Sequence, residues 1–221
     1  MLDNSACLVY NNDTLVALHS LPYDKEDPMP RKFLFTKEQI VDAALCLVRK
    51  RGISALTARS LADALGTSTK PIFGLFRNMD EVHDAVMYAA SDLYHERIRT
   101  DMARGEFPPY KASGMAYIRF AREERELFRM LFMRDRSEEC ADAERDRSEN
   151  EPFVRIIAQN LGLSIEEACR FHLEMWVFVH GIASMIVTGY LVWDDTAVSD
   201  ALTDAYMGLR NRFREIAEER K

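Results

Sequence analysis

Glycine and proline are scarce in this chain, 9 and 7 of 221 residues. So little turn punctuation excludes a many-stranded β fold and makes a mostly helical protein the expectation. Cysteine is scarcer still: Cys7, Cys46, Cys140 and Cys169 lie far apart and form no C-x-x-C pair. That spacing excludes a cysteine-built zinc site. With no basic leader before an apolar stretch at the start, free thiols in a reducing cytoplasm are expected. Basic charge is lacking overall, and the formal net charge of -7 excludes a protein coated for polyanions. A hydrophobic fraction of 48% beside 29% charged residues excludes a disordered or low-complexity chain.

Long apolar runs are nearly absent. The one exception, residues 175–193, carries no formal charge and approaches the ~20 residues that span a bilayer. It is interrupted by His180, Gly181, Ser184, Thr188 and Gly189, and flanked by Glu174, Asp194 and Asp195 with no adjacent Lys or Arg. Its expected place is the centre of a helical bundle or a dimer seam, not a membrane. Catalytic signatures are missing as well. No G-x-G-x-x-G, P-loop, nucleophile elbow or H-E-x-x-H occurs, and no histidine follows a glutamate by three as a di-iron bundle needs. Asp80-x-x-His83 and Asp92-x-x-His95 share one long helix and read as exposed polar positions before a metal site. No enzyme, catalytic residue, cofactor or metal is expected.

What is present is unevenly spread. Residues 29–81 carry nine Lys and Arg against five acids, whereas the segments on either side are net acidic. A local basic segment in an acidic chain points to one anion-binding face. Residues 1–30 read as an N-terminal arm, either a tail or a small hairpin built from residues 6–10 and 14–18. Helical signals begin at Thr36, an N-cap followed by Ile40, Ala43, Ala44, Leu47 and Val48 on one face. Arg49, Lys50 and Arg51 then suit the helix C-terminus, and Gly52 stops it. Thr57 caps a second helix carrying Leu61, Ala62 and Leu65. After Gly66, Ser68 is expected to cap a third with Pro71 in its first turn. Asn78 caps a long helix over 79–104. Further helices are expected over 109–125, 126–133, 151–160, 164–191 and 196–219, with a charged loop over 134–151. The fold class is all-α.

Two short helices joined through Gly66, with Ala62 small enough for a close crossing and Leu61, Leu65, Ile72 and Leu75 between them, make a helix-turn-helix. Such a unit presents its second helix to the DNA major groove. Its exposed Thr67, Ser68, Thr69 and Lys70 offer hydroxyls and a cation to phosphates or base edges.

The run 36–45, then Gly52, then Thr57-Ala-Arg-Ser-Leu-Ala-Asp-Ala-Leu-Gly-Thr-Ser, then Phe73-Gly-Leu-Phe-Arg-Asn-Met-Asp-Glu-Val resembles the N-terminal domain of tetracycline-repressor (TetR) family regulators. Trp176-Val-Phe-Val-His180-Gly181 is similar to the Trp…His-Gly signature of a C-terminal subfamily, the WHG domain. The resemblance implies a ligand-responsive one-component regulator, a repressor that a small molecule releases from double-stranded operator DNA. It implies a three-helix DNA-binding domain over 31–80, joined to a helical-bundle ligand-binding and dimerisation domain over 81–221. Homodimerisation would run through the last two helices. DNA contacts are expected from Arg31, Lys32, Thr57, Arg59, Thr67, Ser68, Thr69, Lys70, Phe73 and Arg77. Phe73 stands where the family usually has Tyr, Gly74 where a bulky residue is common, and Met79 where Lys often opens the fourth helix. A helical small-molecule-binding protein without specific DNA binding is therefore the alternative.

In the C-terminal part, His172, Trp176 and His180 recur every four residues on one face. With Met115, Ile118, Phe128 and Phe132 they are the candidate walls of a site for an unidentified small-molecule effector. Core or dimer seam is the competing reading of the same stripe.

Overall fold

The computed structural model describes residues 34–135 and 142–219. Over these the chain runs through nine α-helices and one 3-10 turn, with no strand among the described residues. The arm over 1–30, with Arg31 and Lys32, lies outside them, as do residues 136–141.

Helix α1 (Lys37–Arg51) begins with a capping box in which Thr36 and Gln39 satisfy each other's backbone N–H groups. Its apolar stripe buries Ile40, Ala44 and Val48. After the 3-10 turn Ile53–Ala55, α2 (Ala58–Ala64) opens with a second capping box between Thr57 and Ser60. Helix α3 (Lys70–Leu75) is shorter than expected, and Ser68 does not cap it. Thr69 holds the cap position with helical backbone angles and no side-chain bond. Pro71 in the first turn removes one of the N–H groups a cap would have served. Asn78 then caps α4 (Met79–Ala103), its side chain accepting from the Glu81 N–H.

The second half holds α5 (Pro109–Glu123), α6 (Arg125–Phe132), α7 (Asp142–Leu161), α8 (Ile165–Val187) and α9 (Asp195–Glu219). The loop expected over 134–151 is corrected here: α7 already begins at Asp142, so the charged stretch is largely helix. Glu and Arg are good helix formers, and charge alone does not make a loop. Pro152 sits inside α7, whose far end is anchored by buried Val154 and Ile157. Helix α8 also ends earlier than expected, at Val187, where Gly189 at φ 77° turns the chain. No helix among the described residues is long and apolar enough to cross a membrane. One side of α8 is instead buried through Met175, Ile182, Ala183 and Ile186.

The central element is α5, which packs against α4, α6, α8 and α9. One apolar core runs unbroken from Ile40, Leu61 and Ile72, along Val82 and Val86 of α4, to Tyr117, Phe128, Ile182 and Leu202. A second cluster joins α7, α8 and α9 through Val154, Ile157, Phe171, Met175 and Phe213. The helix-turn-helix is thus welded to the rest by α4 and by the contact of α1 with α6.

That contact explains Gly52, which is buried at φ 79° and ψ 166°, where other residues are strained. A Cβ there would stand 2.9 Å from a carboxylate oxygen of Glu126. Gly52→Ala is expected to destabilise the protein by about 1–3 kcal/mol, since backbone strain and the clash add. Gly66→Ala, whose Cβ meets nothing within 4 Å, should lose less. Chemical denaturation of the two variants side by side checks the order.

Candidate nucleic-acid interface

The recognition unit is built from the inside outward. Leu61, Ala62, Ile72 and Phe76 are buried, so the opposite side of α3 must face solvent. Lys70, Phe73, Gly74 and Arg77 are all exposed. Lys70, Phe73 and Gly74 follow one another at i, i+3 and i+4 on one face of α3, and Arg77 lies beyond the helix, past the extended Phe76. Phe73 is 46% exposed, an aromatic ring held outward with no apolar neighbour needed to seat it. Arg77, whose side chain is 90% exposed, extends the stripe beyond the helix. Arg59 on α2 and Ser68 before α3 are exposed beside it, while Thr67 and Thr69 are half-buried. The Thr57 hydroxyl accepts the Ser60 N–H at 3.1 Å and is committed to the cap.

Glu81 organises the charges at this edge, a role not foreseen from its sequence position. Its carboxylate accepts the Arg77 backbone N–H at 2.8 Å and lies 3.2 Å from Lys37 Nζ and 3.4 Å from Arg77 Nε. The Arg77 N–H bond, then Lys37, holds its carboxyl below the usual carboxylate range. The available signal was the spacing Asn78-x-x-Glu81, which places a glutamate at the third position of a helix. Lys37 also lies 5.0 Å from the centre of the Phe76 ring. One carboxylate thus orients cations from α1 and from the exit of α3.

The candidate effector residues separate into groups. Met115, Ile118 and Phe128 are sealed in the core. Phe128 and Phe132 pack with His180, Tyr117 and Tyr94 in one aromatic cluster. Trp176 stacks on the outer face of His180 at 5.0 Å, and Phe128 stacks on it at 5.9 Å. His172 belongs to a different cluster, stacked on Phe153 at 5.9 Å. The structure therefore joins Trp176, His180, Phe128 and Phe132, and separates them from His172.

Two tyrosines on α5 that sequence reasoning missed tie both histidines down. Tyr110 Oη donates to His172 Nδ1 at 3.0 Å, and Tyr117 Oη donates to His180 Nδ1 at 2.8 Å. Burial pushes both phenols up, keeping them protonated donors, and pushes both imidazoles down, keeping them neutral acceptors. His172 uses its other nitrogen to donate to Asn150 Oδ1 at 3.2 Å. Tyrosines seven apart facing histidines eight apart form two rungs between α5 and α8. The spacing was visible in the sequence, but nothing there set those faces together. Of the histidines on α4, His83 lies 3.2 Å from the Leu56 carbonyl oxygen, and His95 lies 3.5 Å from Ser91 Oγ.

A separate small cleft of about 60 Å³ between α4 and α5 is lined by Arg97, Asp101, Arg104, Ala116, Arg119, Phe120 and Glu123. None of the expected effector residues reaches it.

Residues 40–86 match the family profile of bacterial regulatory proteins of the tetR family. Residues 110–207 match that of the tetracyclin repressor-like C-terminal domain, a span that includes Trp176, His180 and Gly181. The chain belongs to the TetR family of DNA-binding transcriptional regulators. Two solved structures from Rhodococcus sp. RHA1 share its fold. A TetR-like transcriptional regulator is 15% identical with a TM-score of 0.58, over 78% of this chain and 95% of that one. A protein with unknown function is 21% identical with a TM-score of 0.63, over 82% of this chain and 98% of that one. No curated protein matches the chain.

The histidine rungs carry a pH dependence. Because burial lowers their pKa values, the unfolded chain binds protons that the folded chain does not as pH falls below ~6.5. Their contribution is present above that pH and is lost on acidification. Melting temperature should fall between about pH 7.5 and about pH 5.5, and the double variant His172→Gln, His180→Gln should flatten that slope. Parallel melting curves check this; an unchanged slope would show that other groups carry it.

Proposed function

We propose that this protein is a repressor that binds operator DNA as a homodimer and is released when a small molecule occupies its C-terminal part. The observation that carries the reading is the outward face of Lys70, Phe73 and Gly74 on a helix whose other side is fixed in the core, with exposed Arg77 just beyond its end. Lys70 and Arg77 supply phosphate contacts, Gly74 lets the backbone approach closely, and Phe73 offers an apolar surface to a thymine methyl. The working division is an arm over 1–30, a DNA-binding domain over 31–80 and an effector domain over 81–221. Arg31 and Lys32 would extend the positive face. The site is cytoplasmic, and nothing in the proposal requires catalysis.

The dimer seam we assign to α8 and α9. Leu173, Trp176, Val177, Phe178 and Met185 are large apolar residues exposed on α8, and Met207 is exposed on α9. Gly181 stands among them with nothing near its Cβ position, so a partner helix can come close there. Two half-sites one turn of DNA apart require the paired copies to hold their α3 helices roughly 34 Å apart. The effector acts by favouring a dimer whose two α3 helices no longer match that spacing. The stack of Trp176, His180 and Phe128 runs from the surface of α8 to the core, and is the place where an aromatic ligand would find both faces and a polar edge.

A salt series of binding to the DNA upstream of its own reading frame, and to a random-sequence pool, tests this reading. Affinity should fall steeply with salt, and Lys70→Ala or Arg77→Ala should each reduce the salt slope by about one and weaken binding to all sequences. Val177→Asp should give monomers in sedimentation and lose most of the affinity. Failure of the wild type to bind either DNA at low salt would favour the alternative, a helical ligand-binding protein in which Phe73, Gly74 and Met79 mark the loss of a DNA reader.

A further inference from the structure

The strongest unexplained feature outside these sites is Glu124. Among the described residues it is the charged side chain that is buried, 6% exposed, at the corner between α5 and α6. Its backbone fixes that corner: its N–H donates to the Phe120 carbonyl and its carbonyl accepts from the Phe128 N–H, both at 2.8 Å. Leu127 and Phe128 are fully buried beside it. Its partner comes from the other end of the molecule: Arg49 on α1 grips both carboxylate oxygens, with Nε 2.7 Å from Oε2 and Nη2 on Oε1.

A second contact lies alongside. Gly52, at the end of α1, sits where a Cβ would touch the Glu126 carboxylate. Glu126 pairs with Arg129, and Arg129 Nη2 donates to the carbonyl of Val187, the last residue of α8, at 3.0 Å. Two separate polar contacts thus meet on α6 and its corner, Arg49 of α1 on Glu124 and Arg129 on the end of the helix that carries Trp176 and His180, and the short helix α6 joins them.

We infer that Glu124, held by Arg49 and flanked by Glu126 and Arg129, is the positioning element through which the end of α8 and the helix-turn-helix sense each other. The inference rests on the regulator reading above. The physical reason is that a buried carboxylate stripped of its guanidinium is strongly disfavoured, whereas the gripped pair is satisfied. Partial withdrawal of α1 from the corner gains nothing, so docking is all-or-none, the two-state element that coupling requires. Arg129 ties the end of α8 to the same corner. By reciprocity, anything that α8 does to the DNA-binding head, DNA bound to the head must do to α8.

That reciprocity supplies a test without an identified effector. Amide hydrogen exchange is measured on the full chain, alone and with a random-sequence DNA duplex at low salt. In the wild type, DNA should slow exchange in α2 and α3 and also change it at least about fivefold at the amides of Thr188 and Gly189, which close the end of α8. In Glu124→Gln, which keeps the shape and loses the charge, the DNA footprint on α3 should remain while the response at Thr188 and Gly189 disappears. Arg129→Gln, on the surface, should give the same loss and covers the case in which Glu124→Gln does not fold. A wild-type footprint on α3 with no response at the end of α8 overturns the coupling and leaves the DNA-binding reading standing. So does a response that survives in both variants. No footprint on α3 in the wild type overturns the DNA-binding reading itself, and the coupling with it.

Discussion

The burial of α5 on all sides is the constraint on which the rest of the structure depends. No residue from Ala112 to Ala121 is exposed, and Met115, Ala116, Tyr117 and Ile118 are buried in succession. A helix whose middle is covered on every side is stable only when neighbours enclose it, and α4, α6, α8 and α9 do so. Gly114 shows how close they come: a Cβ there would stand 3.3 Å from Leu202 and 3.5 Å from Val179. Fixing α5 fixes the relative placement of α4, which leads from the DNA-binding end, and α8, which carries the exposed apolar face.

Enclosure has a polar consequence. Every hydrogen-bonding side chain that α5 carries inward must find a protein partner, because water is absent there. Tyr110 and Tyr117 find histidines on α8, and Arg119 finds Asp101, Glu106 and Asp195. Glu124 finds Arg49. The partners are spread over α1, α4, α8 and α9, so these polar groups specify how the neighbours of α5 are aligned. Apolar packing alone tolerates sliding; these directional bonds do not.

The DNA-reading end follows the opposite logic. Its inner residues are ordinary core, and its functional stripe is defined by what they leave outside. Phe73 and Gly74 are legible as surface only because Ile72 and Phe76 are inside. The unbroken core from Ile40 to Leu202 means that this end is not a bead on a linker. A change in the alignment of α4 or α8 therefore has a mechanical route to α3.

Much of this was legible in advance. Caps at Thr36, Thr57 and Asn78 and the stop at Gly52 marked helix ends, because caps and positive-φ glycines are local chemistry. The inward residues of α1 and α2 followed from period alone. The start of α7 was not legible, because a charged helix and a charged loop share a composition. The separation of His172 from His180, their tyrosine partners, the clamp of Glu81 on Lys37 and Arg77, and the burial of Glu124 were also beyond it. The sequence by itself determined the all-α class, the capped helix starts and the inward faces of α1 and α2, all set by local backbone hydrogen bonding and apolar period. Tertiary structure decided which faces meet, and so which polar groups are partners, because those pairs join residues 44 to 75 positions apart and depend on how α5 is enclosed.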